Sequence, residues 1–99
     1  MVLIVRSIIV LKYRYLPEII MAKSYTDEEW KLLKRIGDRI RMCRIELGLS
    51  QEKLAFASDL DRSYIGSVER GERNIAVINL SKIATSLNMT ISELLQIET

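Results

Sequence analysis

The sequence predicts an all-α protein, a five-helix domain preceded by an N-terminal extension. Three observations support this. From Trp30 onward, hydrophobic residues recur at three- and four-residue spacing. Ser, Thr or Asp precedes most of these stretches, and Gly48 and Gly71 close two of them. No convincing strand interrupts the series. At 99 residues, with 48% hydrophobic and 28% charged side chains, the chain suits one small folded core rather than a disordered segment.

Residues 1–25 read as the extension, and 26–99 as the domain. Met1–Leu16 is rich in Val, Ile and Leu, broken by Arg6, Lys12 and Arg14, and followed by Pro17. Its apolar runs, Val2–Val5 and Ile8–Leu11, are too short and too interrupted by charge for a membrane span. No small-residue cleavage site follows to make a signal peptide. The residue types favour an extended segment, yet no second strand is evident for pairing. Met21-Ala22-Lys23-Ser24 resembles an ordinary cytoplasmic start. The expectation is therefore an extension outside the functional domain, with a dimerisation arm or a membrane-surface tether as alternatives.

Thr26 and Glu29 form a capping box, with Asp27 and Glu28 at the positive end of the first helix. Trp30, Leu33, Ile36 or Gly37, Ile40, Cys43 or Arg44, and Leu47 follow at helical spacing. Gly48 stops that helix. Ser50 caps the second, which is expected to turn Leu54, Ala55 and Ala57 inward. Asp59-Leu60-Asp61 forms a turn, and Asp61 caps a third helix, Arg62–Arg70, that ends at Gly71. A fourth, Val77–Leu87, sets Val77, Leu80, Ile83, Ala84 and Leu87 on one face, and Thr90 begins a short fifth through Leu95.

Composition narrows the chemistry. The chain has no histidine and a single cysteine, Cys43, which reads as an ordinary helix residue. An internal disulfide, a Cys/His zinc cluster and Ser–His or Cys–His catalysis are excluded. The expectation is a protein that is not an enzyme and needs no metal or cofactor. Net charge is only +2, but its distribution is uneven. Segment 31–53 carries Lys31, Lys34, Arg35, Arg39, Arg41, Arg44 and Lys53, whereas 76–99 is mainly apolar or neutral. Such a chain can meet phosphate at one end and protein at the other. Solvated charge alone would also explain the basic half.

Residues 51–70 carry the functional signal. Two short helices joined by a three-residue turn need a small residue where they cross, and Ala55 supplies it. Ile65 and Val68 are spaced to be buried, and Leu60 plugs the turn. Arg62, Ser63, Tyr64, Ser67 and Arg70 are then expected to face outward, where they can donate to base edges and phosphates. Tyr64 has an alternative, packing against Leu54 or Phe56 as a core aromatic.

The run Arg44-Ile45-Glu46-Leu47-Gly48-Leu49-Ser50-Gln51-Glu52-Lys53-Leu54-Ala55 resembles the opening of the Cro and lambda-repressor-like (XRE) family of DNA-binding domains. Asp61-Arg62-Ser63-Tyr64-Ile65-Gly66-Ser67-Val68-Glu69-Arg70-Gly71-Glu72-Arg73-Asn74 continues the likeness. Leu80-Ser81-Lys82-Ile83-Ala84, Leu87 and Ser92-Glu93-Leu94-Leu95 complete it. Leu60-Asp61-Arg62-Ser63-Tyr64-Ile65 and Glu69-Arg70-Gly71-Glu72-Arg73-Asn74 are most similar to controller proteins of restriction–modification systems. Three positions depart from the family: Asp59 and Asn88 stand where glycine is frequent, and Ile75 where proline is. Asp and Asn tolerate a left-handed backbone best among non-glycine residues.

The resemblance implies a role for each residue. Gln51 would meet phosphate, Arg62 would pair with guanine, and Ser63, Tyr64 and Ser67 would reach bases or phosphates. Arg70 would clamp a phosphate, Arg73 would enter the groove, and Asn74 would contact the backbone. For Arg62, a merely solvated side chain is the plain alternative. Glu69, which a nearby phosphate would repel, would form a partly buried ion pair with Arg44. Ile75, Val77, Ile78, Ile91, Leu94, Leu95 and Ile97 are more apolar side chains than one helical end can hide. They are expected to build a two-fold homodimer, with core packing accounting for some of them. Two recognition helices about 34 Å apart would then read a pseudo-palindromic operator in double-stranded DNA.

The expected function is transcription regulation in the cytoplasm of a bacterial or phage system, by repression or activation, the latter bringing in RNA polymerase. An antitoxin or a phage-type repressor using the same fold is the alternative. A membrane-associated protein would depend wholly on Met1–Leu16.

Overall fold

The computed structural model describes residues 25–98, and all regular structure among them is helical. The chain runs α1 (Asp27–Glu46), α2 (Gln51–Ser58), α3 (Arg62–Glu69), α4 (Val77–Ser86) and α5 (Ile91–Leu94). The expectations for the extension concern residues that lie outside the described ones, save Tyr25. None of the described helices is long and apolar enough to cross a membrane.

Local chemistry sets most of the boundaries. Thr26 Oγ1 accepts from the Glu29 amide at 3.1 Å, and Glu29 Oε1 accepts from the Thr26 amide at 2.8 Å. The same reciprocal pair recurs between Thr90 and Glu93 at the start of α5. There the Thr90 backbone amide holds the Glu93 carboxyl below its ordinary range. Ser50 Oγ accepts from the Lys53 amide and caps α2. Asp61 occupies the cap position of α3, but its carboxylate accepts from the Ser63 hydroxyl rather than a backbone amide. Gly48 leaves α1 with φ 69°, while Asp59 and Asn88 adopt φ 54° and 57°. The two departures from the family's glycines thus keep the backbone conformation that glycine would supply.

Each helix delivers at least one side chain to a single core. Ile40 of α1, Leu54 of α2, Ile65 and Val68 of α3, Ile83 of α4 and Leu94 of α5 form its centre. Burying each of these aliphatic side chains is worth about 1.5–3 kcal/mol before entropy is counted. Three expected inward residues lie outside instead. Ala57 is exposed because the inner face of α2 runs Leu54, Ala55 and Ser58. The buried Ser58 hydroxyl donates back to the Leu54 carbonyl at 2.7 Å, so its burial leaves nothing unpaired. Leu47 is exposed at the C-cap of α1, and Val77 is exposed at the first position of α4.

Helix α1 presses unusually close to α3. A Cβ on Gly37 would lie 2.3 Å from the Val68 carbonyl oxygen and 2.6 Å from that of Glu69. Just past the same end of α3, a Cβ on Gly71, whose φ is 76°, would lie 2.8 Å from Lys34 Cα. Two glycines therefore let α3 lie against α1 backbone to backbone. Gly37→Ala should destabilise the domain by about 1–3 kcal/mol through overpacking. Alanine's helix propensity, worth about 1 kcal/mol, acts in the opposite direction and is the smaller effect. A thermal melt followed by circular dichroism checks this, with a lower Tm expected.

Candidate nucleic-acid interface

Helices α2 and α3 pack across the three-residue turn at Ala55, which is buried, and the Leu60 amide donates to the Ala55 carbonyl at 2.9 Å. Leu60 closes the turn against the core. Ile65 and Val68 anchor α3 from beneath. Arg62 and Ser63 are left exposed in its first turn. Among the described residues, Arg62 has no hydrogen-bond or ion-pair partner.

A buried charge cluster fixes this arrangement. Arg44 Nε and Nη2 donate to the two Glu69 carboxylate oxygens at 2.7 and 2.9 Å, a forked pair between α1 and α3. Arg44 Nη1 also donates to the Leu49 carbonyl at 2.8 Å. Gln51 Nε2 donates to Glu69 Oε1 at 3.1 Å, tying the first residue of α2 into the same cluster. Glu69 is 3% exposed and Arg44 9%. Their desolvation is offset because each charged group meets several partners. Gln51 is thereby held half-buried at the N-terminus of α2, an end that attracts phosphate.

The loop after α3 carries further candidates. Arg73 Nε donates to Ser67 Oγ at 3.2 Å, and its guanidinium lies 5.8 Å from the Tyr64 ring centroid. Ser67 was expected to face outward but is buried, its hydroxyl donating to the Tyr64 carbonyl at 2.7 Å. The chain folds back after Gly71, and Arg73 reaches the Ser67 hydroxyl instead of solvent doing so. Tyr64 is half-buried against the core, and its hydroxyl accepts from Asn79 Nδ2 at 3.2 Å. It is thus partly buried against the core, whereas Phe56, one of the two neighbours expected for it, is 90% exposed. The partner of its hydroxyl lies on α4.

Arg70 is exposed and pairs with Glu72 at 3.0 Å. That hydrogen bond holds the Glu72 carboxyl below the ordinary carboxylate range. Asn74 Nδ2 donates to the Tyr25 hydroxyl at 3.2 Å, and Tyr25 in turn stands edge-on to Trp30. Gln51, Arg62, Ser63, Arg70, Arg73 and Asn74 thus lie on α2, α3 and the loop that follows.

The expected apolar interface is smaller than the sequence implied. Leu94 is fully buried in the monomer core, so it is no surface residue. Ile75, Ile91 and Leu95 are half-buried against that core, and Ile97 is half-buried as well. Val77 and Ile78 remain, each 68% exposed at the start of α4. Sequence reasoning missed Arg39, which donates to the Leu94 and Glu93 carbonyls and fastens the end of α5 to α1. Asn79 was missed as well. Neither carries a local signal, because its partner lies far away in the chain.

A helix-turn-helix family, HTH_3, matches residues 40–94. The chain belongs to this family. The control protein C.MunI from a Mycoplasma species is 46% identical over 61 residues, which span 61% of this chain and 82% of that protein. The crystal structure of the restriction–modification controller protein C.AhdI from Aeromonas hydrophila superposes with a TM-score of 0.62 at 53% identity. That alignment covers 63% of this chain and 94% of C.AhdI. The controller protein C.Esp1396I, solved as a tetramer in complex with its natural 35 base-pair operator, aligns with a TM-score of 0.60 at 36% identity. It covers 64% of this chain and 83% of C.Esp1396I.

The buried pair places a demand on Glu69 that can be measured. Glu69→Ala leaves the buried Arg44 guanidinium without its carboxylate and should cost about 3–5 kcal/mol. Urea denaturation would show this as a lower midpoint, and an unchanged midpoint would mean that the pair does not hold α1 to α3.

Proposed function

We propose that this protein is a dimeric, sequence-specific DNA-binding transcriptional regulator that sets α3 in the major groove and has no enzymatic activity. The observation that supports it best is Arg62, exposed and unpaired among the described residues, in the first turn of a helix clamped by Arg44 and Glu69. A guanidinium presented from a rigid helix N-terminus is suited to bidentate pairing with guanine O6 and N7. Gln51 and Arg73 lie on either side of it in the chain, on the end of α2 and in the loop after α3, and serve as phosphate or groove contacts. Likeness to controller proteins supports regulation of a restriction–modification system, with RNA polymerase as a further partner and the cytoplasm as the site of action.

Val77 and Ile78 form the exposed apolar start of α4 and are the contact we assign to the dimer. Burying two such side chains twice over a two-fold axis suits an isologous interface. The operator is then pseudo-palindromic, with half-sites about one helical turn apart.

Selection of bound DNA from a random pool should yield such a site. On that site Arg62→Ala should cost about 1–3 kcal/mol and relax preference at one base position per half-site. Gln51→Ala should weaken binding more evenly across sequences, and affinity should fall steeply with salt. Unchanged affinity and base preference in Arg62→Ala would remove α3 as the reader. Ile78→Asp should shift sedimentation from dimer toward monomer, and an unchanged profile would place the interface elsewhere.

A further inference from the structure

The loop following α3 brings Arg73, Ser67 and Tyr64 together, and the contact that fixes this group comes from Asn79 on α4. Tyr64 is restrained at both ends of its side chain. Its backbone belongs to α3, where its carbonyl accepts from Ser67, and its hydroxyl accepts from the Asn79 amide 15 residues away. The ring between these two points supports the Arg73 guanidinium, while Ser67 Oγ takes the Arg73 Nε–H. With Nε committed, one hydrogen-bond partner and one ring face define where the guanidinium lies. Arginine contributes five donors in a fixed fork, so its remaining N–H groups are directed by that placement.

We propose that Asn79 is a positioning residue for DNA sequence discrimination, acting through the Tyr64 hydroxyl to hold Arg73 in its reading orientation. This rests on the DNA-reading assignment of α3 made above. Asn79 makes no contact with DNA in this scheme. It sets the tilt of an aromatic ring, and the ring sets the position of a cation above it. Asn79 also follows directly after Val77 and Ile78, so the first turn of α4 carries both the exposed apolar pair and the support for Arg73.

The test is a double-mutant cycle on the full chain with the selected operator and its single-base variants. Tyr64→Phe and Asn79→Ala remove the same hydrogen bond from opposite ends, and Tyr64→Phe keeps the ring and its packing. Each should reduce discrimination by about three- to tenfold at the base positions that Arg73→Ala affects. The double variant should be no worse than either single one. Binding to a scrambled duplex should be unchanged.

A second readout needs no DNA. The Nε–H resonance of Arg73 in 15N-labelled protein should move toward that of a solvent-exposed arginine in Tyr64→Phe and in Asn79→Ala. Unchanged discrimination and an unmoved Arg73 resonance would overturn the proposal. Losses spread evenly over all base positions, accompanied by a lower Tm, would also overturn it in favour of a structural role. If Asn79→Ala fails to fold, Tyr64→Phe decides the matter alone. If Arg62→Ala also leaves base preference intact, it is the reading of α3 that fails, whereas the Arg73 resonance still reports on Asn79.

Discussion

The forked pair between Arg44 and Glu69 sets the geometry on which the rest of the domain depends. Two opposite charges on different helices, 25 residues apart in sequence, are brought out of water together. Coulomb attraction alone seldom repays such burial, so the remaining hydrogen-bonding capacity must be filled. It is filled by the Leu49 carbonyl on one side and the Gln51 amide on the other. Because these partners lie on the α1–α2 connection and the first turn of α2, satisfying the charges orders three helices at once. The fork also requires α1 and α3 to approach closely, and glycine at position 37 makes that approach sterically possible.

One consequence is a division of labour along α3. Its acidic residue is neutralised inside, so the helix offers no free carboxylate of its own toward solvent. Ile65 and Val68 occupy the underside, and the exposed first turn is left with Arg62 and Ser63. A helix of eight residues could not hold this orientation by its own propensity, since isolated helices of that length are marginal in water. Tertiary contacts at both ends hold it instead. The candidate surface is rigid because its support lies in the core, and Arg62 at its tip is left free of structural duty.

Much of this was legible in the residue pattern because it is local. The capping box at Thr26 can be read from four residues, the helix start at Thr90 from its residue type, and the turn around Leu60 from three. Left-handed backbone at Asp59 and Asn88 follows from the residue types that tolerate it. What was not legible depends on distant partners. Ala57 and Ser58 exchange places because the approach of α2 to α3 and α4, rather than helical period alone, selects which small residue is covered. Ser67 turns inward only because a later loop returns over it, and Leu94 is drawn from the surface by a core that five helices share. The Arg44–Glu69 pair was anticipated through family resemblance, since a separation of 25 residues leaves no periodic trace.

The placement of the exposed apolar pair gives this architecture its last connection. Helix α4 begins at Ala76, a cap residue with no side chain to satisfy the free amides of the first turn. That turn therefore lacks the local stabilisation that Thr26, Ser50 and Thr90 give to α1, α2 and α5. It nevertheless presents Val77 and Ile78 to solvent and carries Asn79 against Tyr64. In the proposed dimer, covering Val77 and Ile78 would brace this uncapped but already helical turn. The same turn holds Asn79, and through it the ring beneath Arg73. Assembly and reading would then meet in three consecutive residues, because the helix end that presents the exposed apolar pair is also the one that supports the reading loop.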